Sequence, residues 1–282
     1  MPRLLPVLAV AVALIAPGLS GCGGKKRVQT AQADPEAAVR AFRDATPPRT
    51  LRGRFKLRLS GPEVDGATQA GLVLDRPNRL RLDVQTPLGT PLLLMATDGQ
   101  ALNAWVQRNA TFYQGDDALA VLAEVTGGVV GVADLLDILT GRLPADEATV
   151  LDARAVDGGI QVILGKESVP DYRIRAVLDP AILLVRELDV APAAGRKPTD
   201  LGPPVLTVRY PDAMKTEVGP LPEELVATLP TLGWTLELEF HTWDVLGVVP
   251  DVFTLEPVDG AQQADLVESL QGLARDRAGG AD

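Results

Sequence analysis

From Leu51 onward the chain alternates: Leu51, Gly53, Phe55, Leu57 and Leu59 stand against Arg52, Arg54, Lys56 and Arg58. Successive side chains of a β-strand point to opposite faces, so this period of two predicts a strand with one apolar and one charged face. The signal recurs in short runs along most of the chain. Residues 70–74, 80–84, 92–96, 101–106 and 111–113 read as strands, separated by turn clusters such as Asp75-Arg76-Pro77-Asn78 and Asp98-Gly99. Residues 148–155, 160–164, 172–178, 183–190, 205–210, 233–243 and 252–255 continue the series. Short strands in such a series predict an all-β sheet that curls into a barrel or sandwich.

Helical segments interrupt this pattern. Asp34-Pro35-Glu36 supplies an N-cap, a Pro at the first helical position and an acid in the first turn, and Pro47-Pro48 stops the helix. Asp116-Asp117 precedes a helix over 118–125 that Gly127-Gly128 ends, and 132–139 forms another with Asp134 near its start. Residues 191–204 read as a Pro/Gly/Ala-rich loop, 220–224 as a turn or helix start, and 262–273 as a loosely attached helix. An aliphatic sheet face covered by helices makes either a packed core or a cavity for an apolar ligand.

Composition narrows the chemistry. One Cys and one His exclude a disulfide framework and a Cys/His zinc site. No Ser stands in a G-x-S-x-G elbow. Asp116-Asp117 and Glu223-Glu224 are adjacent carboxylates that a hydrolase could use. Neighbours in sequence do not face each other on a helix, however, and capping accounts for the first pair. The chain is expected not to be an enzyme and to need no metal or cofactor. A formal net charge of −10 argues against a nucleic-acid partner. The charge is uneven, since residues 25–58 carry ten Lys or Arg and three acids. Such a segment suits an anionic lipid surface or, equally, a solvated strand and linker.

Met1-Pro2-Arg3 gives a charged start, residues 4–17 are apolar but too short a run to span a bilayer comfortably, and Leu19-Ser20-Gly21-Cys22 follows. This arrangement resembles the bacterial lipoprotein signal. The resemblance implies cleavage before Cys22, acylation of its thiol and, with Gly23 rather than Asp next, residence in the outer membrane. Each buried methylene of an anchor contributes about 0.8 kcal/mol, so two or more chains hold stably. The expected organisation is a signal peptide over 1–21, a lipidated Cys and tether over 22–33, a folded domain over 34–260 and a tail over 261–282.

Thr86-Pro87-Leu88-Gly89-Thr90 joins two of the expected strands. Pro and Gly fix a tight turn. Leu88 then either stands at a solvent-facing tip, able to enter a membrane, or folds back on the sheet.

The run from Arg79 through Pro87-Leu88-Gly89, then Asp98-Gly99, then Tyr113-Gln114-Gly115-Asp116-Asp117-Ala118, resembles the outer-membrane lipoprotein receptor LolB. Thr126-Gly127-Gly128-Val129-Val130 and Leu135-Leu136-Asp137-Ile138-Leu139-Thr140-Gly141-Arg142-Leu143-Pro144 are similar to that family's second helix and its G-x-P end. Leu51-Arg52-Gly53-Arg54-Phe55 resembles its first strand, and the similarity extends over residues 34–190. It implies an incomplete, strongly curved antiparallel β-barrel with a lid of two or three short helices over a hydrophobic cavity, a fold shared with the periplasmic carrier LolA.

The resemblance also implies an activity. A monomer held at the inner leaflet of the outer membrane by Cys22 takes the acyl chains of lipoproteins from a LolA-like carrier and helps insert them. Pro87, Leu88 and Gly89 match the family's membrane-insertion loop. The expected cavity lining is Phe55, Leu57, Leu72, Leu82, Val84 and Leu93 from one strand face, with Leu119, Leu122, Leu135, Leu136 and Leu139 from the lid. A register error of one residue would turn the opposite face inward. A lipoprotein of the same fold that binds another lipid, or serves as a scaffold, is the alternative.

Overall fold

The computed structural model describes residues 34–271 except 46–47, 63–64, 127, 145–146, 250 and 270, and the side chains of 124 and 125. The expected signal peptide, Cys22, the tether and the end of the tail lie outside the described residues. No helix among the described residues is long and apolar enough to cross a membrane.

Helix α1 (Pro35–Asp44) is capped by Asp34, whose carboxylate accepts from the Glu36 N–H at 3.1 Å, and it buries Val39 and Phe42. Strands β1 (Thr50–Ser60), β2 (Asp65–Asp75), β3 (Arg79–Gln85), β4 (Pro91–Thr97), β5 (Leu102–Val106) and β6 (Thr111–Gln114) form one antiparallel meander. Helices α2 (Ala118–Thr126) and α3 (Val132–Leu139) follow. A second meander runs through β7 (Ala148–Val156), β8 (Gly159–Lys166), β9 (Tyr172–Asp179), β10 (Leu184–Pro192) and β11 (Leu206–Arg209). A two-stranded ribbon, β12 (Ala213–Thr216) and β13 (Gly219–Pro222), leads to β14 (Glu224–Leu229) and β15 (Trp234–Val245). The last strand is β16 (Gln262–Asp265).

Strand β15 joins the two meanders, because it pairs with β14 on one side and β1 on the other. The result is a 14-stranded sheet in the order β16-β6-β5-β4-β3-β2-β1-β15-β14-β11-β10-β9-β8-β7. It does not close on itself, so the architecture is an incomplete antiparallel barrel with few short helices. Strand β6 lies next to one edge and β7 is the other. The link carrying α2 and α3 must therefore cross the concave side, where both helices pack.

A bulge sets the packing at the centre of the sheet. Arg54 pairs with Thr242 but Phe55 pairs with Phe240, so His241 is the extra residue. The phase of β15 shifts there, and Phe240 and Trp243 turn to one side although they are three residues apart. Their rings stack at 4.4 Å and 26°, and Phe55 lies 5.0 Å from Phe240. Gly53 faces this cluster, where an added Cβ would stand 3.0 Å from the Trp243 ring. The indole N–H of Trp243 donates to the Pro222 carbonyl at 2.9 Å.

Four sequence expectations are corrected. The second strand begins at Asp65, not at residue 70. Residues 220–224 are neither a turn nor a helix start, because β13 and β14 occupy them; a two-stranded ribbon tolerates the prolines, having no second neighbour that needs their missing N–H. Residues 252–255 do not form a strand. Side-chain anchors replace the ladder there: Phe253 is buried under the Arg79 guanidinium, 4.9 Å above its ring, and the Val252 carbonyl accepts from Arg81 at 3.2 Å. The segment after 260 is not simply a loosely attached helix. Its start forms β16, parallel to β6, and helical turns begin only at Leu266. Main-chain pairing at an edge needs no alternating side chains, so nothing in Gln262-Gln263-Ala264-Asp265 announces a strand.

Candidate functional site

The concave face of the sheet and the two crossing helices line a partly open cavity of about 250 Å³. Strands β1 to β4 contribute Phe55, Leu57, Leu72, Leu80, Leu82 and Met95. Strands β11, β14 and β15 complete the wall with residues such as Val208, Leu225 and Leu238. Directly paired residues share a face of a sheet. The pairings Leu57 with Leu238, Leu72 with Leu82 and Leu225 with Leu238 therefore carry one apolar surface around the curve. From above, Leu122, Thr126, Val130, Leu135, Ile138 and Leu139 close it. Thr126 is the one polar residue in the lining, and its hydroxyl donates to the Leu122 carbonyl at 2.8 Å. The lining thus offers dispersion and desolvation, about 25 cal/mol per Å² of apolar area, and no side-chain donor left over for a headgroup.

Helix α3 is fixed at both ends. At its start, the Asp134 carboxylate accepts the Gly131 N–H at 2.8 Å and pairs with Lys166, and both side chains are buried. At its end, Arg76 pairs with Asp137 and donates to Thr140 Oγ1 at 2.7 Å. The buried Tyr210 hydroxyl donates to the Ile138 carbonyl at 2.7 Å. Burial and the Asp137 charge push the Tyr210 pKa far above its ordinary value, so the hydroxyl stays a donor across the physiological range. Removing it in Tyr210→Phe is expected to lower stability by about 1–2 kcal/mol, read from urea unfolding. An unchanged midpoint and slope would show that this anchor contributes nothing.

Of the residues expected to line a cavity, Phe55, Leu57, Leu72, Leu82, Leu122, Leu135 and Leu139 do so. Val84 is buried in the packed core and Leu93 is half-buried beside it. Leu119 is 55% exposed: it stands in the first turn of α2, near Gly131, outside the cavity. Leu136 is fully buried but lies one position, about 100°, around α3 from Leu135. Leu80, Met95, Ile138, Val208 and Leu225 line the cavity unforeseen. Leu80 shares a strand face with Leu82, and Ile138 lies three positions after Leu135, so both were within reach of the periodicity. The β14 contribution was not, because that strand was unrecognised. Of the carboxylate pairs, Asp117 caps α2, accepting from the Leu119 N–H at 2.9 Å, whereas Glu223 and Glu224 line a separate polar pocket with Lys56, Arg58, Glu237 and Glu239.

The Pro87-Leu88-Gly89 turn protrudes between β3 and β4. The Gly89 N–H donates to the Thr86 carbonyl at 2.8 Å, and the Thr86 N–H donates to the Thr90 carbonyl at 2.8 Å. Gly89 has φ +83°, the left-handed conformation that follows a type I turn in a bulged hairpin. Leu88 is 94% exposed, the most exposed of the large hydrophobic residues described.

No family model and no curated protein sequence matches the chain. Solved structures do match its backbone. A DUF1329 family protein from Desulfovibrio piger superposes with TM-score 0.53 at 11% identity, covering 77% of this chain and 93% of that one. A LolA superfamily protein from Nitrosomonas europaea gives TM-score 0.52 at 11% identity over 78% and 97% of the two chains. The chain has the LolA-type fold. A putative outer membrane lipoprotein-sorting protein domain from Vibrio parahaemolyticus gives TM-score 0.51 at 10% identity, over 76% and 93%. At these identities the likeness is one of fold, and it supports the LolA/LolB type without singling out LolB.

Proposed function

We propose that this chain is an outer-membrane-anchored lipoprotein that accepts the acyl chains of lipoproteins from a periplasmic LolA-like carrier and helps insert them in the membrane. The observation that carries the reading is the cavity: an apolar space under two helices, with no side-chain donor left over, suits an alkyl chain. The L-S-G-C sequence at residues 19–22 supplies the anchor, and the exposed Leu88 supplies an apolar tip for membrane contact. Cys22 itself lies outside the described residues.

Native mass spectrometry of the Cys22→Ala chain, mixed with a carrier loaded with an acylated lipoprotein, tests the transfer. The expected result is a complex between chain and client that disappears when the client lacks acyl chains. A carrier that keeps its client would overturn the receptor role. Replacing Leu88 by Glu is expected to leave the unfolding midpoint unchanged and to slow delivery to vesicles at least tenfold. An unchanged delivery rate would remove the turn from the mechanism.

The cavity's size favours a second reading. At the packing of one benzene in about 150 Å³, this partly open space takes on the order of ten carbon atoms. A lipoprotein with two or more chains needs α2 and α3 to move outward, whereas a single-chain lipid needs much less. A chain that binds a free fatty acid tightly and ignores the loaded carrier would be a lipid-binding relative of the receptor fold.

A further inference from the structure

Helix α3 separates two openings. It presents Leu135, Ile138 and Leu139 to the apolar cavity, and Ala133 and Asp137, four residues apart, to a second pocket of about 340 Å³. That pocket lies between α1, the β2–β3 turn and α3. Among the described residues, three guanidinium groups, Arg43, Arg76 and Arg142, line it with one carboxylate, Asp137. Asp137 pairs with Arg76. Among the described residues the other two cations donate to main-chain carbonyls: Arg43 to Ala148 at 2.8 Å and Arg142 to Leu183 at 3.3 Å.

Arg142 is only 8% exposed, forms no ion pair among the described residues, and its buried Nε has no hydrogen-bond partner. Buried charges are normally paired, because an uncompensated one is strongly destabilising. Burial first, and then the neighbouring Arg76 charge, lower the Arg142 pKa, with Asp137 acting the other way. A guanidinium fork matches two oxygens of an oxyanion, and forks reaching in from α1 and from the loop after α3 suit a tetrahedral one.

We propose that this pocket binds a phosphate group, held by Arg43 and Arg142 beside the Arg76–Asp137 pair. Phe42, Pro77 and Ala133 form an apolar wall next to the cations, with room for an uncharged substituent on the phosphate. Free phosphate and the headgroup of an anionic phospholipid share this chemistry. The site is independent of acyl-chain transfer and stands or falls apart from it.

Isothermal titration of the full chain in neutral detergent, at ionic strength fixed with chloride, tests the site. Inorganic phosphate and glycerophosphoglycerol are the two probes. Saturable binding of either one is expected, weakened at least tenfold in Arg43→Gln. Arg43 is exposed, so this variant is expected to fold, checked by circular dichroism. Arg142→Met, which keeps the packing of the stem, is expected to abolish binding; if it does not fold, Arg43→Gln decides alone. Tighter binding of glycerophosphoglycerol identifies a lipid headgroup, and tighter binding of inorganic phosphate identifies a free anion. Absence of saturable binding to both probes, or affinity unchanged in Arg43→Gln, overturns the proposal.

Discussion

Phe55→Ala is expected to cost the domain about 3–5 kcal/mol and to enlarge the cavity at the same time. Phe55 is 1% exposed, packs on Phe240 at 5.0 Å and faces the cavity from β1. Its loss removes the transfer energy of the ring and leaves a void that the flanking strands cannot fill. Both are held on two sides, β1 by β2 and β15, and β15 by β1 and β14. Urea unfolding followed by circular dichroism reads the first effect. Titration with an uncharged naphthylamine probe reads the second, and the variant should bind more tightly than the parent. A loss below about 1 kcal/mol, or weaker probe binding, would mean that the aromatic cluster is not what shapes the cavity.

The second large effect concerns Asp75, a carboxylate with no exposed surface at the end of β2. It accepts from Thr50 Oγ1 at 2.7 Å and from Arg49 Nε at 3.3 Å, and pairs with Arg79. Burial raises its pKa, but the bonds from Thr50 and Arg79 and the charges of Arg79 and Arg49 outweigh that and hold it below the ordinary value. Asp75→Ala leaves the buried Thr50 hydroxyl without its acceptor and two arginines without their carboxylate. The expected loss at neutral pH is roughly 3 kcal/mol.

The pH dependence follows from the direction of the shift. A carboxyl that titrates lower in the folded state stabilises fully above its unfolded pKa of about 4, and loses that contribution as pH falls through the folded value. The gap between parent and Asp75→Ala should therefore be constant from about pH 5 to 7 and should narrow below about pH 4. A gap that widens on acidification would contradict the sign.

Period-two segments long enough to alternate several times were legible in the sequence. Strand β1 and the Leu236–Leu238–Phe240 stretch could be assigned to a face from their residues alone, and turn chemistry marked Pro87-Leu88-Gly89. Short strands were not legible. The four residues of β13 include two prolines, and those of β16 are mostly polar, so their conformation comes from a partner strand distant in sequence. The phase shift at His241 was equally hidden, because a bulge leaves no local mark in composition. Within the lid, helical spacing put Leu135 and Leu139 correctly but could not tell which of two apolar neighbours, Leu135 or Leu136, faces inward. That choice depends on how α3 is rotated by its anchors, Lys166, Arg76 and Tyr210, which come from three other parts of the chain. The arginine cluster is the extreme case. Arg43, Arg76 and Arg142 stand in unrelated segments, and only the packing of α1 and the β2–β3 turn against α3 brings them to one pocket.

An open sheet of this width has two borders, each a row of unpaired main-chain groups able to recruit a strand from another molecule. Here both borders are spoken for. The segment after β15 travels to the far side and lays β16 along β6, so that border ends in four residues rather than in a long template. At the other, β7 is interrupted by a bulge between Val150 and Asp152, and Arg43 takes the Ala148 carbonyl. Among the described residues, Leu88 at the tip of its turn is the large hydrophobic side chain most open to a partner, and the devices at the two borders are of the kind that discourage edge-to-edge pairing.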